Sequence, residues 1–144
     1  MSDELQVWER VNADLWRRDV GREDARQKLK LAHRNLRRAR ESLERGDPDE
    51  ALSKAENVLV NAADAALAAD GYRIRGKTGS HRARFDYPRL PGGFAEHAKR
   101  IDRIRRLRST VTYDQANVVS PEEAAAAVNL AGELLAAVKL EQRR

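Results

Sequence analysis

Apolar residues recur along most of the chain at alternating steps of three and four, the repeat of a helix with one buried face. Leu5, Trp8, Val11 and Leu15 share one side of a first amphipathic helix expected over residues 3–19. A second helix is expected from about Glu23 to Arg45, with Ala25, Leu29, Ala32, Leu36, Ala39 and Leu43 facing inward. Gly46 ends it. Asp47-Pro48-Asp49-Glu50 then supplies a cap, a proline at the first helical position and a glutamate at the third. The third helix, to about Asp70, carries Leu52, Ala55, Leu59, Ala62, Ala66 and Ala69, with Val58, Val60 and Leu67 on its flanks. A helix apolar round most of its circumference belongs in the middle of a bundle.

Gly71 stops the third helix, and residues 71–92 read as a basic connector in which Ser80 caps a short helix that Pro88 ends. A fourth helix starts near Gly93 and runs to Arg108 or a little past it. Ser120-Pro121-Glu122-Glu123 repeats the cap, proline and glutamate signature, and the last helix follows with Ala124, Val128, Ala131, Leu135 and Val138 inward. No strand pattern appears. The expectation is an all-α protein, an antiparallel up-and-down bundle of four long helices over residues 23–144. An N-terminal amphipathic helix within residues 1–22 precedes it.

Composition narrows the class. The 144 residues fit one domain, and 41% hydrophobic residues suffice for a modest core. Cysteine is absent, so disulfides, thiol chemistry and cysteine zinc sites are excluded. No apolar run approaches the roughly 18 residues of a membrane span. The start, MSDELQVWER, has no basic segment followed by an apolar one, so a cytoplasmic domain is expected.

The net charge of +5 is unevenly spread. Residues 47–70 hold one basic and six acidic side chains, whereas residues 71–113 hold twelve basic and three acidic ones. Arginine supplies 22 of the 28 basic residues, a bias that suits forked phosphate contacts and that a GC-rich genome would equally produce. Charge permits a polyanionic partner without requiring one.

Several motifs bear on chemistry. Gly71 to Thr78 fits the phosphate-loop expression, but a helix rather than a buried strand precedes it, so it reads as a coincidence in a basic loop. That loop still offers Arg73, Arg75, Lys77, Arg82 and Arg84 for nucleic-acid phosphates, interleaved with Tyr72, Phe85 and Tyr87. The aromatic residues equally fit a role in packing the loop onto the bundle. On the fourth helix, His97, Ile101, Ile104, Arg108 and Val111 form the inward stripe, and an arginine there needs a partner or a cleft. Glu56 is likewise a charge on an apolar face of the third helix. A Glu56–Arg108 pair resolves both, as a buried register pin or as part of an active-site or subunit cleft. His33, His81 and His97 lie far apart with no metal-ligand spacing, so neither metal nor cofactor is expected.

Three stretches together resemble the HEPN domain family, over about residues 25–142. They are Arg40 to Ala51, Gly79 to Asp86, and Leu107 to Asp114 followed by Val119 to Ala124. The similarity is nearest to the family's single-domain bacterial branch. It implies a helical bundle that dimerises so that the arginine motifs of two subunits face one cleft, in toxin–antitoxin or defence systems. Many relatives are metal-independent ribonucleases in which four to six residues separate the arginine from a histidine. Others pair with small nucleotidyltransferases or serve as binding modules. Here Tyr113 stands five residues after Arg108, where such a histidine would fall. The expected function is therefore a dimeric module binding RNA, a nucleotide or a protein partner through an arginine-rich cleft. The alternatives are a ribonuclease using Arg108 and Glu56 with Tyr113 or His81, and a structural adaptor that docks through Trp8 and Trp16.

Overall fold

The computed structural model describes residues 3–113 and 118–143, with only the backbone of Tyr113. The fold is all-α. In chain order the elements are α1 (Asp3–Val11), β1 (Trp16–Arg17), α2 (Arg22–Glu44), α3 (Pro48–Ala69), β2 (Arg73–Ile74), α4 (Ser80–Phe85), α5 (Gly92–Glu96), α6 (Ala98–Tyr113) and α7 (Pro121–Gln142).

The ends of the long helices follow their residues. Gly46 takes φ 74°, so its N–H reaches the Leu43 carbonyl while the N–H of Asp47 reaches that of Ser42. Asp47 then accepts from the Glu50 N–H at 3.2 Å and opens α3. Ser120 caps α7 in the same manner, its Oγ accepting from the Glu123 N–H at 3.0 Å. Gly71, at φ 93°, closes α3 with the same pair of bonds, Gly71 to Ala68 and Tyr72 to Leu67. The contact that accompanies such a cap joins Tyr72 to Leu67 and draws the tyrosine into the protein.

α3 is the buried centre. Its alanines at 51, 55, 62, 63 and 65 have no exposed surface, and those at 124, 127 and 131 on α7 are nearly as enclosed. Small side chains let α3 and α7 pack closely while running in the same direction. Val119 at the head of α7 meets Asp49, and Gln142 at its tail donates to the Ala65 carbonyl at 3.0 Å.

Three features depart from the sequence pattern. The first helix ends at Val11 rather than reaching residue 19, because the Asn12 side chain donates to the Trp8 carbonyl and the chain turns. Trp16–Arg17 then forms a two-residue strand antiparallel to Arg73–Ile74, a sheet too short to leave an alternating pattern. The fourth helix is broken into α5 and α6 at His97. His97 leaves the helical range there, at φ −107° and ψ 21°, while Gly93 lets α5 approach α7, a Cβ at that position lying 2.8 Å from Leu134 Cδ2.

Around the turn, Leu5, Trp8, Leu67, Tyr72 and Tyr87 form a second buried cluster beside the main core. Trp8 stands edge-on to both tyrosines, at ring separations of 5.3 and 5.0 Å. The N-terminal segment thus rests on the basic loop and orders it.

Candidate functional site

Arg108 stands on the side of α6 that meets α3, and its Nη1 donates to Glu56 Oε1 at 2.7 Å and to Asn57 Oδ1 at 2.5 Å. Glu56 is one of two buried polar or charged residues among those described, at 8% exposure. The arginine side chain keeps 32% of its surface open. Both bonds use the same nitrogen, so Nε and Nη2 hold no hydrogen bond to another described residue. A guanidinium held at one nitrogen and still partly exposed can act as a preorganised anion contact. Hydrophobic periodicity does not single out Asn57. It follows Glu56 directly, and its place beside that charge on the buried part of α3 is the signal that marks it.

The basic loop divides into held and free cations. Arg84 is internal, bonded to Asp64 at 2.6 Å with 13% of its side chain exposed. Arg73 lies 3.8 and 3.9 Å from Asp19 and Asp24. Arg82 reaches Asp86 at 3.3 Å on the open surface. Arg75 and Lys77 are exposed and form no ion pair with a described residue. The aromatic rings do not accompany them outward. Tyr72 and Tyr87 are buried, their hydroxyls donating to Glu9 at 2.7 Å and Asp70 at 2.5 Å, so their faces are already occupied. Burial, followed by those carboxylates, raises the pKa of both phenols. Phe85 packs between His81 and Phe94.

His81 lines a different recess from Arg108. A cleft of about 480 Å³ between α4, α5 and α6 is walled by His81, Phe85, Phe94, Asp102 and Arg105. Burial first, then the nearby charges of Arg105 and Arg84, push the His81 pKa down to about 4, against a smaller opposing pull from Asp102. The imidazole is therefore neutral at pH 7. Arg105 donates to Asp102 at 3.1 Å while its Nε is buried without a partner. Arg106 also pairs with Asp102, at 3.1 Å. The pairing of Arg82 with Asp86 and of Arg105 with Asp102 leaves this cleft nearly balanced in charge.

The Tyr113 side chain lies outside the described residues. The Gly71 to Thr78 segment holds no phosphate loop, because Gly71 caps α3 and a strand of the small sheet falls inside it. Among the described residues, no group of three or more His, Asp or Glu is placed to hold a metal ion. None of their helices is long and apolar enough to cross a membrane.

A family model for the HEPN domain matches residues 25–141. The chain belongs to the HEPN family. The matched region of this HEPN domain begins in the first turn of α2 and ends in the last turn of α7, leaving α1 and β1 outside it. Comparisons with curated proteins and with solved structures gave no match.

Proposed function

We propose that this HEPN domain is a dimeric, non-cleaving RNA-binding module of toxin–antitoxin or defence type. The observation that carries the reading is the state of Arg108, anchored by Glu56 and Asn57 through one nitrogen and still about one-third exposed, with no histidine among residues 109–120. A phosphate can be held there, but the proton carrier that metal-independent relatives place after the arginine is missing. His81 does not replace it. A histidine with a pKa near 4 is a weak base at pH 7, and it shares its recess with Arg105 instead. Arg75 and Lys77 add unpaired positive charge on the loop that precedes α5 and α6. Two copies facing one another, as family membership leads one to expect, would join their Arg108 edges across a common cleft.

The test is fluorescence anisotropy with labelled single-stranded RNA over a salt series, run beside a cleavage assay in excess chelator. Binding that weakens steeply with salt and leaves the RNA intact is the expected result. Cleavage that disappears in Arg108→Ala would overturn it and make the protein a metal-independent ribonuclease.

A further inference from the structure

On the other side of the bundle a groove of about 590 Å³ runs between the start of α2 and the end of α7. Its floor is apolar, made by Ala25, Leu29, Ala66, Ala69 and Val138, with Pro91 closing one side. Its rim is basic. Arg22, Arg89, Lys139 and Arg143 stand around it with no ion pair to a described residue, while Arg26 is engaged by Glu23 at 2.6 Å. Two acids also line it, Asp70 and Glu141. Asp70 accepts from the Tyr87 hydroxyl and keeps its charge, but the five cations still outnumber the two acids around the groove.

From this pattern we infer that the groove docks an acidic amphipathic segment of a partner protein. Such a segment lays apolar side chains on Leu29, Ala66 and Ala69, the accessible part of the floor, and turns carboxylates to the four free cations. The size fits, since sites of ~300–1,000 Å³ enclose a few side chains. RNA fits less well. No aromatic ring lines the groove to stack a base. Arg75 and Lys77 lie outside it, so this surface is independent of the RNA reading.

The experiment uses the full chain and a fluorescein-labelled synthetic helix with leucine at every third or fourth position and glutamate between. A control peptide replaces each leucine with serine. We expect the leucine peptide to bind, to lose at least tenfold in affinity with Arg22→Glu/Lys139→Glu, and to lose as much with Ala69→Glu on the exposed floor. Arg75→Ala/Lys77→Ala should leave that affinity unchanged, and helical circular dichroism should be preserved in every variant. Equal binding of the serine control would overturn the proposal, since it would reduce the groove to bare charge attraction. So would undiminished binding by the reversed-charge variant. Loss of self-association in that variant without loss of peptide binding would overturn it too, assigning the groove to a second copy of this chain. If the reversed-charge variant loses RNA affinity and keeps the peptide, the groove belongs to the RNA surface and the proposal fails.

Discussion

The indole Nε1 of Trp8 donates to the backbone carbonyl of Ala83 at 2.8 Å, tying α1 to α4 across 75 residues of chain. Trp8 is 4% exposed and touches both tyrosines of the second cluster. Trp8→Ala is therefore expected to cost about 3–5 kcal/mol, as large aromatic truncations in cores do. Trp8→Phe keeps most of the ring and loses the hydrogen bond, for about 1–2 kcal/mol. Urea unfolding of both variants measures the two effects separately, and an Ala variant as stable as wild type would show that the clasp contributes nothing.

Removing one member of the Arg108 pair should hurt more than neutralising both. Arg108→Ala strands a buried carboxylate and is expected to cost about 1–3 kcal/mol. Combining Arg108→Met with Glu56→Gln should recover much of that loss, because neither residue then keeps an unpaired charge. A double-mutant cycle by chemical denaturation reads the coupling.

His81 gives the fold a pH dependence with a definite sign. Its folded pKa, about 4, lies below the ordinary 6.5, so the unfolded chain binds the proton more readily. This contribution is fully present above pH 6.5 and is lost as the pH falls toward 4. After allowance for solvent screening at a half-buried site, it amounts to on the order of 1–2 kcal/mol. Comparing wild type with His81→Gln at pH 7.5 and pH 4.5 isolates it. The stability gap between the two proteins should shift toward the variant at the lower pH.

Cations in the loop should separate by their partners. Arg75→Ala with Lys77→Ala is expected to weaken RNA binding and flatten the salt slope, by about 0.7 for each single-strand phosphate that is no longer neutralised. Arg84→Ala should instead cost about 1.5–3 kcal/mol of stability through the stranded Asp64, with little change in the salt slope. Anisotropy across a salt series and urea unfolding distinguish the two.

The legible parts of the sequence are those governed by near neighbours. Asp47-Pro48 and Ser120-Pro121 announce two helix starts, Gly46 and Gly71 announce two ends, and the charges out of place on α3 and α6 prove to be partners. What stays hidden depends on distant chain. Asp64 is a second charge on the apolar third helix, but its partner Arg84 lies 20 residues on. Tyr72 has the look of a base-stacking residue in a basic loop. Only the cap geometry at Gly71 and the arrival of Trp8 turn it inward. The close approach of Gly93 to Leu134 likewise joins distant chain, and no periodicity encodes it.

Glu56 and Asp64 stand eight residues apart on α3, about 12 Å along its axis. One carboxylate grips Arg108 of α6 and the other grips Arg84 of α4. α3 behaves as a shared axle whose seat against α7 is set by methyl groups, which have no side-chain rotamers through which to yield. Slippage of that axle would carry both arginines with it, so a change in how α3 sits is felt at α4 and α6 together rather than at one of them alone.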